Sequence, residues 1–253
     1  MNCKLTDRLL AAFIFFTRLP LWRLRQPPKE CYASVVEFWP LTGWLTAGVM
    51  ALTLWGGSYV LPYPVAVVAA IAARMLLTGA LHEDGLADCC DGFGGGTDRN
   101  RILAIMKDSH IGTYGVIGLI VWFALCVTSL MSMPPTTAAL VVLAADPFAK
   151  MVTSQLILML PYARKEEEAK ARTVYRRFGI ATGLSLAVQG LAPMAAMLYL
   201  TGMDWQLIIF VPAVVFYALY MMMRSKIQGY TGDCCGATAL IVELTIFIVA
   251  CAI

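Results

Sequence analysis

The chain has 253 residues, 60% of them hydrophobic and only 14% charged, with a net charge of +3. A soluble domain of this size carries about a quarter charged residues, and several apolar runs here approach the ~20 residues that cross a bilayer. Composition therefore excludes a soluble globular protein and gives no reason to expect a nucleic-acid partner. The expectation is an all-α, polytopic membrane protein in contact with lipid, one integral-membrane domain over residues 1–253.

The first 33 residues hold Lys4, Arg8, Arg18, Arg23, Arg25 and Lys29 around an apolar run at 9–16 that is too short to span. Thr17-Arg18-Leu19-Pro20 follows that run where a signal peptide would need small residues for cleavage. A short helix lying at the membrane interface fits better. Seven candidate spans come next, at about 41–61, 65–81, 114–133, 136–160, 178–200, 207–223 and 237–253. The connections at 62–64, 134–135 and 201–206 are short and nearly uncharged. Those at 82–113, 161–177 and 224–236 are longer and basic, and the two kinds alternate strictly. Of 19 Lys and Arg, 17 fall in the N-terminal segment and the three long loops. The positive-inside rule places these segments in the cytosol and the C-terminus outside.

The first long loop carries the densest chemistry: HEDGLADCCDGFGGGTDRNRILAIMKDSHIGTYG, residues 82–115. Asp84, Asp88 and Asp91 are spaced four and then three apart, which on a helix puts three carboxylates on one stripe. Such a stripe repels itself unless a cation sits against it, and oxygen-only ligands favour Mg²⁺. Gly94, Gly95 and Gly96 are expected to break the helix and let backbone approach a ligand. Lys107, Asp108 and Ser109 follow, and the whole reads as a site that handles phosphate. His82 precedes the stripe as a helix-start residue or a partner of an aspartate, with a general-base role not indicated by its spacing.

The second long loop, Arg164 to Arg177, reads RKEEEAKARTVYRR. It suits a solvated face near anionic headgroups, and the rival reading gives some of its arginines to substrate phosphate. The last loop, Gly229-Tyr230-Thr231-Gly232-Asp233 then Gly236, lies on the same side. Its glycines suit tight turns near a ligand, Thr231 suits a phosphate oxygen, and Asp233 is a further metal ligand. Inside the spans, Asp146 and Lys150 are four apart and suited to pair. Arg74 has no partner named by the sequence, and Glu37 and Glu243 lie near cytosolic ends. The adjacent pairs Cys89–Cys90 and Cys234–Cys235 lack zinc-site spacing, so the eight cysteines are read as reduced, structural thiols.

The segments HEDGLADCCDGFGGG, IMKDSHIGTYG and GYTGDCCGA, with FFTRLP near the start, resemble the adenosylcobinamide-GDP ribazoletransferase (cobalamin synthase) family across essentially the whole chain. The resemblance implies a Mg²⁺-dependent inner-membrane enzyme. Its substrates would be adenosylcobinamide-GDP and α-ribazole or α-ribazole 5′-phosphate, with GMP released and the nucleotide loop of cobalamin completed. It assigns catalysis to His82, Asp84, Asp88 and Asp91, with Asp233 joining the metal set, and phosphate contacts to Asp108, Ser109 and Thr231. Lys107 joins those contacts from its position after the glycines. A CDP-alcohol phosphotransferase is the nearest alternative: Asp88-Cys89-Cys90-Asp91-Gly92 matches the start of that family's motif, but its next fixed residues, Ala and Arg, would fall on Gly95 and Gly96. A cation transporter lined by Arg74, Asp146 and Lys150 is the third, against which stands the loop position of the richest acidic cluster. The sequence leaves the oligomeric state open, a homo-oligomer included.

Overall fold

A computed structural model describes residues 3–164 and 175–253; the charged stretch 165–174, and whatever phosphate contacts it supplies, lies outside the described residues. The described chain is helical, in the order α1 Leu5–Phe16, α2 Trp39–Gly57, α3 Tyr63–Thr78, α4 Leu81–Gly95, α5 Arg99–Lys107, α6 Thr113–Met131, α7 Pro135–Ser154, α8 Leu156–Met159, α9 Ile180–Thr201, α10 Trp205–Lys226 and α11 Gly232–Ala252. Six helical stretches are long and apolar enough to cross a membrane. They start at Lys29, where a 3-10 stretch runs into α2, and at α6, α7, α9, α10 and α11.

The expected span at 65–81 takes another form. Helix α3 has 16 residues, about 24 Å at 1.5 Å per residue, which falls short of the ~30 Å hydrocarbon core. It completes a seventh span only together with α4, which leaves it at 93°. The turn rests on two successive left-handed residues, Gly79 at φ +67° and Ala80 at φ +55°. The αL region suits glycine and is costly for alanine. The Arg18 amide donates to the Leu77 carbonyl at 2.7 Å, tying the end of α3 to the segment after α1.

Helices α7 and α11 are the most buried, while α9 and α10 keep long apolar faces outward, with Leu184, Val188, Phe210 and Tyr217 exposed. Small residues let the inner helices close up, as membrane packing favours: a Cβ on Gly43 of α2 would lie 3.0 Å from the Pro147 Cα of α7. The intramembrane charges are paired. Arg74 (α3) sits 2.6 Å from Glu243 (α11) and 3.8 Å from Glu83 (α4). Lys150 sits 2.6 Å from Asp146 on α7 and donates to the Thr46 hydroxyl of α2 at 2.9 Å, and Thr46 also donates to Asp146. Glu37 pairs with Arg8. These contacts satisfy groups that are expensive to leave alone in a bilayer, and they occupy the charges a transport path would need.

Two local expectations change. Six cysteines are free, but Cys3 and Cys31 are joined in a disulfide, because α1 packs along the 3-10 stretch Lys29–Phe38. Their separation of 28 residues carried no sequence signal. The glycine run does not break α4 at Gly94. The helix continues through Gly95 and ends at Gly96, because Gly94 packs on the Tyr114 ring, where a Cβ would stand 2.7 Å from Cγ.

Candidate active site

Three loop segments meet at one end of the bundle. Pro161–Ala163 runs beside Gly229–Tyr230: the Ala163 amide donates to the Tyr230 carbonyl at 2.8 Å, and the Tyr230 amide to the Pro161 carbonyl at 3.0 Å. The approach depends on Gly229, where a Cβ would stand 2.6 Å from the Pro161 oxygen. Arg99, at the start of α5, fastens both strands of this junction. Its Nε donates to the Ile227 carbonyl at 3.0 Å and its Nη2 to the Ala163 carbonyl at 2.6 Å. Asp98 caps α5 by accepting from the amides of Asn100 and Arg101, and the Arg101 bond leads in holding its carboxyl below the usual carboxylate range.

The last loop hands over to α11 at Thr231. Its side chain is fully buried and accepts from the Cys234 amide at 3.2 Å, an N-cap that fixes the first turn bearing Asp233. Thr231 therefore positions Asp233 from beneath the surface. The glycines expected to cradle a ligand serve helix approach instead. A Cβ on Gly85 of α4 would lie 2.9 Å from the Asp233 carbonyl, and one on Gly236 of α11 would lie 3.2 Å from the His82 Cα. These two positions let α4 and α11 touch backbone to backbone, which brings Asp84 and Asp233 to one pocket.

That pocket, of about 280 Å³, is lined by the charged Asp84, Asp233 and Arg164 together with Phe16, Trp39, His82, Tyr162 and Tyr175. Phe16, Trp39 and His82 form a mutually parallel set, with centroids 5.4 to 6.3 Å apart and planes within 10°. His82 is buried, and its Nε2 has no hydrogen-bond partner among the described residues. It also borders a second, polar cavity of about 10 Å³ among Arg74, Asp146, Lys150 and Glu243, room for about one water. Arg164 is nearly buried, its side chain 3% exposed, with Nη1 3.6 Å from Asp233 Oδ2. Burial raises the phenols of Tyr162, Tyr175 and Tyr230 above their ordinary value, which keeps them neutral.

The aspartate stripe divides. Asp84 is exposed at the pocket and Asp88 is half-buried one turn further along α4, outside the pocket lining. Asp91 is buried and faces another helix: its carboxylate accepts from the Gly112 amide at 2.7 Å and the Gly115 amide at 2.8 Å, capping the start of α6. Among the described residues no three His, Cys, Asp or Glu side chains gather closely enough to hold a metal ion. Mg²⁺ commonly takes only one or two carboxylates and completes its shell with water and substrate phosphate. On that chemistry Asp84 and Asp233 suit it.

Of the expected phosphate ligands, Lys107 faces an open groove next to the pocket. Asp108 and Ser109 lie in the exposed turn beyond α5, outside both linings. The Asp108 carboxyl is held below its usual range, first by its 2.7 Å contact with the His110 ring and then by the His110 amide. Phe16, Trp39, Tyr162 and Arg99 carried no metal or phosphate pattern and were missed. Arg164 stood within a loop noted for its arginines, but nothing set it apart from its neighbours.

The sequence matches the cobalamin-5-phosphate synthase family over residues 8–251. The chain belongs to that family. Among its relatives, the adenosylcobinamide-GDP ribazoletransferase of Leptothrix cholodnii is 36% identical over 94% of this chain and 92% of its own length. That of Shewanella baltica is 31% identical over 97% and 94%, and that of Ralstonia nicotianae 36% over 94% and 92%. No solved structure matches the chain. Membership spans the first aromatic segment, the aspartate helix and the last cap, so every part of the pocket lies inside the family's extent. It also decides against the alcohol phosphotransferase and the transporter as the main reading.

Proposed function

We propose that this chain is a membrane-embedded adenosylcobinamide-GDP ribazoletransferase acting in cobalamin biosynthesis. It joins α-ribazole, or its 5′-phosphate, to adenosylcobinamide-GDP with release of GMP. The observation that carries the proposal is the convergence of Asp84 from α4, Asp233 from α11 and Arg164 on one pocket, in a family whose relatives bear that name. A cytosolic position for this pocket at the inner membrane, with the C-terminus outside, is supported by the basic loops around it and suits nucleotide substrates.

Asp84 and Asp233 are the residues that would hold Mg²⁺, with Asp88 next along the helix. When bound, the ion would neutralise charge on the pyrophosphate and on the departing phosphate. Arg164 supplies a fixed positive charge on the same wall and balances Asp233. The aromatic side, with its neutral tyrosines, excludes water and offers a flat apolar surface. His82 anchors that surface to α4, and its unpartnered Nε2 is placed to bond a substrate atom or an ordered water. Asp91 keeps α6 against α4, so it acts on the site through position.

The test is GMP release by purified protein supplied with both substrates, against Mg²⁺ concentration. Turnover that requires both substrates and a divalent cation is expected. Unaltered rates in Asp84→Asn and Asp233→Asn, with unchanged metal dependence, would overturn this placement of the reaction.

A further inference from the structure

Beside the aromatic pocket lies a second groove of about 500 Å³, lined by Arg99, Asn100 and Lys107 on α5 and by Tyr162 and Arg164 across from it. Tyr162 and Arg164 line both spaces, so they form a shared wall. The groove's lining holds three cations and no carboxylate. Residues 99, 103 and 107 repeat every four positions, which turns one stripe of α5 into its floor. Lys107 is exposed and has no ion-pair partner among the described residues. In the shared wall, the Arg164 Nε is buried with no hydrogen-bond partner among the described residues. The Arg164 guanidinium donates to the Leu103 carbonyl at 3.3 Å and lies 3.6 Å from Asp233, so it is the open groove, with Arg99 and Lys107 and no carboxylate in its lining, that calls for an anion with several acceptor oxygens.

Phosphoryl transfer adds a geometric demand. The attacking and leaving oxygens stand roughly in line on opposite faces of the phosphorus, so acceptor and leaving group need separate spaces that meet at the reacting phosphate. The two cavities meet at Arg164. One is flat, aromatic and neutral on its far side, and the other is open and cationic.

We propose that the α5 groove binds the leaving nucleotide, the guanosine monophosphate half of the pyrophosphate substrate, while the aromatic pocket seats the heterocyclic base of the acceptor nucleoside. This assignment rests on the reaction proposed above. The acceptor hydroxyl oxygen forms a bond to the corrinoid-linked phosphorus, and the bond from that phosphorus to the bridging oxygen breaks. The bridging oxygen leaves with the electron pair on the nucleoside monophosphate, and the hydroxyl proton ends on that phosphate or in water. Arg164 faces the pyrophosphate between the two spaces, and Lys107 and Asn100 hold the departing phosphate.

The experiment uses the full chain in detergent. GMP binding is measured directly by calorimetry, and GMP is also tested as an inhibitor of its own release. GMP should compete with adenosylcobinamide-GDP and not with α-ribazole, and guanosine, lacking the phosphate, should bind far more weakly. Lys107→Ala and Asn100→Ala are surface changes that leave packing intact. Each should weaken GMP binding, by about ten-fold for the charged residue, with the KM for α-ribazole unchanged. Trp39→Leu should do the reverse, raising the α-ribazole KM and sparing GMP affinity. If both α5 variants bind GMP as the unaltered protein does, or if GMP competes with α-ribazole, the assignment is overturned. Binding of anionic phospholipid that excludes GMP from the groove would overturn it too. Absence of any GMP release by the unaltered protein would refute the reaction itself, and the calorimetric arm would still decide whether the groove holds a nucleotide.

Discussion

Asp91→Asn separates two roles that a shared motif hides. The native carboxylate accepts one amide on each oxygen, at 2.7 and 2.8 Å, while buried at the start of α6. Asparagine keeps one acceptor and turns an NH2 donor toward the other amide. A bond to a charged group is worth about 1.5–3 kcal/mol, and a carboxylate at a helix N-terminus adds about 0.3–2 kcal/mol. The loss should total about 2–5 kcal/mol. On the scale of soluble domains this lowers Tm by roughly 5–15 °C. Asp84→Asn alters an exposed group and should leave Tm unchanged while lowering the rate about a thousandfold, the several kcal/mol expected when a metal's hold on developing charge is weakened. The assay is paired: thermal unfolding in detergent followed by tryptophan fluorescence, and GMP release against Mg²⁺ and Mn²⁺. Raised metal should partly restore Asp84→Asn and should do nothing for Asp91→Asn. An Asp91→Asn protein with native Tm and metal-rescued activity would refute the capping role and return Asp91 to the metal set.

Gly85→Ala forces a methyl to within 2.9 Å of the Asp233 carbonyl oxygen. Turnover should fall by about a hundredfold, the scale for an ångström of misplacement. Gly232→Ala meets nothing within 4 Å, and the same rate assay should find it near wild type. Glu243→Leu removes the 2.6 Å partner of Arg74 and leaves it only Glu83 at 3.8 Å, and should destabilise by up to about 3–5 kcal/mol in denaturant titration. Because buried Glu83 also leans on Arg74, recovery should need the triple change Glu243→Leu, Arg74→Met and Glu83→Gln, which leaves no buried charge of this cluster unpaired. Single cysteines at positions 98 and 228, in a cysteine-free background, should react with a membrane-impermeant thiol reagent only from the cytosolic side. One at position 203 should react only from outside, and the reverse pattern would invert the site's placement.

Much of the frame was legible because apolar length is a strong, additive signal; six helices long and apolar enough to cross a membrane, and a short helix before them, follow from it directly. The bend after α3 was hidden: Gly79 invites a left-handed turn, but Ala80 beside it does not, and it is held by the Ala80 amide bond to the Met75 carbonyl and by the Arg18 segment. In the site, the helix expected to carry Asp84, Asp88 and Asp91 is present as α4. Spacing cannot say what each face meets, and α6 captures Asp91 while the pocket takes Asp84. The glycines around Asp233 were visible as glycines, but their use in backbone contact between α4 and α11 depends on a partner 150 residues away in sequence. Arg99 and Arg164 were indistinguishable from other loop cations until the carbonyls and carboxylate they serve were in place.

The pocket's walls come from Phe16 and Trp39 near the beginning of the chain, from α4, from the Tyr162 segment, and from the first turn of α11, the last helix. Chains are made at about 5–20 residues per second and enter the bilayer in order. The aspartate helix therefore spends the synthesis of everything from residue 96 to residue 231 beside no partner for Gly85. Until the final span threads, Asp84 and Asp233 share no pocket, and the cavity lacks the wall that the first turn of α11 supplies. The pocket is thus closed last, when α11 inserts against walls already made.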